Sequence, residues 1–113
     1  MLTRGEAKEL QDKLIIIYKF ISHQKHLKGL FGYRPPMVSN LVEKLLKTSG
    51  SEKILKEAIM ELETIIKPDT QKSEELFYHI INREDVEFIA KRYGMKDSWD
   101  LKRLKIEKIL RKI

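Results

Sequence analysis

With 113 residues, 42% of them apolar and 35% charged, the chain has room for one domain, or for a small domain with a helical extension. It contains no cysteine, which excludes structural disulfides and thiolate metal sites. The longest apolar run, Leu14 to Tyr18, stops at Lys19, far short of the ~20 residues of a membrane span. The residues after Met1 lack the basic-then-apolar layout of a secretion leader, so a cytoplasmic protein with no membrane partner is expected.

The formal net charge of +6 conceals a segregation of sign. Residues 13–56 carry nine Lys/Arg against two acids, residues 57–90 nine acids against three bases, and residues 91–113 nine bases against three acids. A polyanion would favour the two basic blocks, because each phosphate neutralised releases counterions. Ordinary solvated lysines account for the same basic balance without any partner.

Thr3-Arg4-Gly5-Glu6 has the Ser/Thr-x-x-Glu form of a capping box and opens a first helix. Leu10, Leu14, Ile17 and Ile21 recur at helical spacing, and Ile16, Tyr18 and Phe20 widen that stripe to about 200°. A stripe so wide predicts a central helix, ending near Lys25 or Leu27. The loop Gly29-Leu30-Phe31-Gly32-Tyr33-Arg34-Pro35-Pro36 follows, stiffened by its proline pair. A second helix is expected from Val38 to Lys47, closed by Gly50 in a left-handed cap. Ser51 caps a third, carrying Leu55, Ala58, Ile59, Leu62, Ile65 and Ile66 and stopped by Pro68.

Asp69 to Ser73 reads as a polar turn. A fourth helix carries Leu76, Phe77, Ile80 and Ile81; a fifth, capped within Asn82 to Asp85, buries Val86, Ile89, Ala90 and Tyr93. Ser98 caps a sixth that is expected to run to the C-terminus. No alternating strand pattern is present. The chain therefore reads as an all-α bundle of five to six helices in a single domain, with residues 1–67 as an N-terminal scaffold and 70–113 as a trihelical C-terminal unit.

Within residues 76–110 the chain resembles a helix-turn-helix DNA-binding unit. Ala90 lies four positions before the turn glycine Gly94, Met95 follows it, and Leu101 and Leu104 anchor the next helix. The departure is a turn one residue longer, because Lys96-Asp97 precede Ser98. The same residues are similar to the helix-extended loop-helix modules of SAP domains and of the Rho terminator's N-terminal domain. Either resemblance implies nucleic-acid binding, with duplex DNA as the expected ligand. On that register Trp99, Lys102, Arg103 and Lys105 lie outside the Leu101/Leu104 face. Lys102 and Arg103 would read bases, while Lys96, Lys105 and the helix start at Ser98 would hold phosphates. Ala-x-x-x-Gly also recurs in helical hairpins that never meet nucleic acid.

Leu101 and Leu104 point about 160° away from Ile106, Ile109, Leu110 and Ile113 at 100° per residue. One straight helix cannot bury both sets in one core, so the tail either crosses between layers or packs on a second subunit, giving a homodimer. Lys105, Lys108, Arg111 and Lys112 line the other face of that tail.

Lys28 and Arg34, flanking Gly29-Leu30-Phe31-Gly32, offer a second phosphate contact. The Gly-x-x-Gly is similar to the phosphate clamp of KH domains, although the strands of that fold are missing. Phe31 and Tyr33 would stack on bases or a protein partner, or tuck back onto the bundle. His23 and His26 have metal-sharing spacing but lack further ligands nearby, and His79 is remote, so no metal or other cofactor is expected. No catalytic grouping has local support, so an enzyme is not expected. The expectation is a small DNA-binding regulator. Its rival is a protein-binding helical bundle, such as an adaptor subunit, immunity protein or phage-encoded inhibitor, that uses the acidic 57–90 region and the 29–36 loop.

Overall fold

A computed structural model describes residues 2–31, 44, 47, 50–96 and 100–105, with residues 24–31 and 102 described by their backbone only. The described residues form four α-helices and one 3₁₀ turn, and no strand occurs among them. The expected helix over 38–47 lies largely outside the described residues, although Lys44 and Lys47 are helical. The C-terminal tail from Ile106 also lies outside them.

Helix α1 (Arg4–Phe31) starts on the capping box that its sequence announces. The Thr3 amide donates to Glu6 Oε1 at 3.2 Å, and the Glu6 amide donates to Thr3 Oγ1 at 3.1 Å, so two amides that the helix cannot use are satisfied reciprocally. The helix then runs past its expected end and takes in Gly29, Leu30 and Phe31. A glycine costs a helix only about 1 kcal/mol relative to alanine. A long helix already nucleated absorbs that cost. Gly29, Leu30 and Phe31 are therefore helical where a loop was expected, and the rest of the 29–36 segment lies outside the described residues.

Every residue from Leu10 to Ile17 is buried, as are Phe20 and Ile21. The broad stripe anticipated a central helix; the structure goes further and encloses Gln11, Asp12 and Lys13 as well.

Helix α2 (Ser51–Ile66) makes the most extensive contact with α1, through Leu55, Ile59 and Leu62. Gly50 stands just before it at φ 77°, the left-handed conformation that glycine adopts without a Cβ penalty. That glycine takes the cap position expected of Ser51, which instead opens the helix with its side chain buried. Pro68 sets the other end: the preceding Lys67 is extended at φ −131° and ψ 91°.

Helix α3 (Glu74–Ile81) is capped by Ser73, whose Oγ accepts from the Leu76 amide at 3.1 Å. It buries Phe77, Ile80 and Ile81, and the Phe77 ring meets Tyr18 of α1 edge-on at 5.1 Å between centroids. Helix α4 (Val86–Arg92) places Ile89 and Ala90 against the core and touches α1. No helix among the described residues is long and apolar enough to cross a membrane.

Candidate nucleic-acid interface

The segment that follows α4 begins with a closed C-terminal cap. Gly94 is left-handed at φ 72°, the Met95 amide donates to the Ala90 carbonyl and the Gly94 amide to the Lys91 carbonyl, both at 3.1 Å. This is the Schellman arrangement, and its usual apolar contact is supplied by the burial of Met95 beside Ala90. The turn therefore drives Met95 inward and releases Lys96 into solvent.

The chain returns to the core at a 3₁₀ turn, Leu101–Leu104. With three residues per turn, positions three apart share one side. Leu101 and Leu104 accordingly both point inward at 1% exposure, and Arg103 points away at 67%.

The α-helix expected to run unbroken from Ser98 is interrupted. Lys105 sits at φ 49° and ψ 40°, a conformation that a right-handed helix cannot pass through. The left-handed well costs a residue with a Cβ about 1–2 kcal/mol. Lys105 follows directly on the inward-facing Leu101/Leu104 pair and is the last of the described residues.

Of the residues singled out for nucleic-acid contact, Lys96, Arg103 and Lys105 are exposed on one short segment. Lys102 lies in the 3₁₀ turn by its backbone, and Lys28 in α1 by its backbone, while their side chains are outside the described residues. Ser98, Trp99 and Arg34 are outside them altogether. Among the described residues Arg103 pairs with its neighbour Asp100, at 3.6 Å. Among the described residues Lys91, Lys96 and Lys105 make no ion pair.

Several other cations of the fold are committed to pairs within it. Arg92 forks onto Glu84 and also reaches Asp12 Oδ2 at 3.1 Å. Asp12, 1% exposed on α1, further accepts from Tyr93 Oη at 2.7 Å and Lys8 Nζ at 2.9 Å. Lys13 lies over the Tyr93 ring at 5.4 Å while pairing with Glu9 at 2.9 Å. Burial and its bond to Asp12 push the Tyr93 phenol well above the ordinary value, and the Arg92 bond holds the Glu84 carboxyl below the usual carboxylate range.

A second buried carboxylate, Glu63 of α2, accepts from Arg83 Nη2 at 2.8 Å and from Gln11 Nε2 at 3.1 Å. Burial alone would raise its pKa, but the bonds from Arg83 and Gln11 outweigh burial and lower it. Lys56 pairs with Glu74 and Lys72 with Glu61 on the surface.

Reading along the sequence did not find Asp12 or Glu63. The available signal was arithmetic: a 200° apolar stripe leaves too little polar circumference to keep Gln11, Asp12 and Lys13 all in water. Chemically, the C-terminal segment can attract an anion, whereas the Asp12 and Glu63 clusters are closed structural networks. Among the described residues no three His, Asp or Glu side chains come together as metal ligands. Comparison of the chain with protein-family models, with curated proteins and with solved structures found no match in any of the three.

Proposed function

We propose that this chain is a non-enzymatic nucleic-acid-binding protein that grips the phosphodiester backbone through residues 91–105. One observation carries the reading. Arg103, Lys96 and Lys105 face solvent while their apolar neighbours Met95, Leu101 and Leu104 are anchored in the core, so the cations are held out on a fixed support and, among the described residues, do not pair with the acidic middle of the fold. Reading of a DNA groove by an inserted helix is not part of the proposal, because the described part of that helix is a single 3₁₀ turn ended by left-handed Lys105.

Duplex DNA is the first ligand to test, by fluorescence anisotropy from ~50 to ~200 mM salt. Affinity is expected to fall with salt at a log–log slope of about −0.9 per phosphate contacted. Arg103→Ala and Lys105→Ala should each reduce that slope by about 1. A protein-binding bundle is the competing outcome: no nucleic-acid binding at low salt, together with a protein partner whose capture depends on Tyr78, exposed on acidic α3, overturns the proposal.

A further inference from the structure

Phe88 is the most exposed large apolar side chain among the described residues, at 65%. Single exposed apolar residues are common and mean nothing alone. What sets Phe88 apart is how firmly its surroundings are built. The Arg92 guanidinium, one helical turn on, lies 5.9 Å from the ring centroid. Arg92 is itself tied to Glu84 and to buried Asp12. The helix beneath is closed at its C-terminal end by the Gly94 turn. The phenyl ring thus stands on a rigid base with most of its surface open to solvent.

Lys91, exposed at i+3 from Phe88 and therefore its neighbour along the helix, and Lys96 just past Gly94 are both unpaired among the described residues. Asp85 and Glu87 lie toward the start of α4, so positive potential grows from Phe88 toward Lys96 and gives a bound polyanion one preferred direction. An outward aromatic with cations a turn away is the composition of a platform for single strands, on which bases stack while lysines take phosphates. Bases inside a duplex are already stacked on one another, and a surface ring reaches only an unpaired one.

Resting on the nucleic-acid reading above, we propose that Phe88 is a stacking platform for an unpaired base, with Lys91 and Lys96 on adjacent phosphates. The ligand class is therefore single-stranded nucleic acid or an unpaired stretch.

The test is fluorescence anisotropy of the full chain with a labelled oligothymidylate and with a length-matched duplex, for wild type, Phe88→Ala, Phe88→Tyr and Lys91→Ala/Lys96→Ala. Wild type is expected to prefer the single strand. Phe88→Ala should lose roughly 5- to 150-fold in single-strand affinity, the range of one base stacked on an aromatic. Its salt slope should stay unchanged, and Phe88→Tyr should restore binding. Because the ring is exposed, Phe88→Ala should keep the wild-type melting temperature. If Phe88→Ala binds the single strand like wild type while the lysine variant weakens, stacking is overturned and backbone binding stands. If neither oligonucleotide binds at low salt, both readings fall.

Discussion

Arg92 and Arg103 come from the same basic stretch of sequence and meet opposite fates. Arg92 closes a helix, bridges Glu84 and Asp12, and joins the C-terminal segment to α1 across most of the chain's length. Arg103 stands on a turn whose leucines are buried and, among the described residues, pairs with Asp100, an exposed arginine's pair of the kind worth between nothing and about 1 kcal/mol. Charge at one end of the block builds the fold, and at the other Arg103 stays in solvent. A count of lysines and arginines cannot separate these roles; the position of the nearest buried carboxylate does.

The sharpest way to break this contrast is at Asp12. Asp12→Ala should destabilise the protein by about 3 kcal/mol, the low end for a buried pair losing one partner, because Arg92 is 38% exposed and can turn to water. Urea unfolding measures it; a loss below about 1 kcal/mol would mean that the cluster does not hold α4 to α1. Gly94→Ala comes next. The space where its Cβ would stand is open, so the cost is backbone strain alone at φ 72°, about 1–2 kcal/mol. A Gly94→Ala variant as stable as wild type would show that the turn tolerates another conformation.

Lys105→Gly should act in the opposite direction, raising stability by up to about 1 kcal/mol as left-handed strain is relieved. A destabilised variant would place Lys105 in a contact that matters to the fold. The smallest effect on stability belongs to Arg103→Ala, within about 0.5 kcal/mol of wild type, as for exposed positions generally. The same variant should weaken nucleic-acid binding, so the two arginines separate on two independent axes.

The pH dependence of stability sharpens the comparison further. Folded Tyr93 holds its proton more tightly than the unfolded chain does, so its contribution is complete below the ordinary phenol value of about 10 and is lost as pH rises above it. Glu84 and Glu63 titrate lower in the fold, so theirs is complete above about 4.3 and is lost as pH falls below that. Urea midpoints should form a plateau between those limits. Tyr93→Phe should remove most of the alkaline decline, and an unchanged decline would assign it to another group.

What the sequence by itself determined is what neighbours in the chain decide. The Thr3/Glu6 box, the left-handed preference of Gly50, the turn at Gly94 and the inward pairing of Leu101 with Leu104 all rest on interactions spanning a few residues, and all are legible in the sequence; the Ser73 cap is equally local but reads there only as the end of a polar turn. Ser51 does not cap but opens the helix, which already starts from left-handed Gly50 without a side-chain cap, and α1 overruns Gly29 because helix cooperativity outweighs one poor helix former. Only the tertiary structure decided that Asp12 is buried, that Arg92 is consumed while Arg103 is not, and that the backbone reverses hand at Lys105. Asp12 meets Arg92 and Tyr93 across a sequence separation of about eighty residues, and no local preference encodes a partner so distant. Burial is a property of the whole assembly of helices, and it is burial that turns an ordinary aspartate into the acceptor around which a basic segment divides.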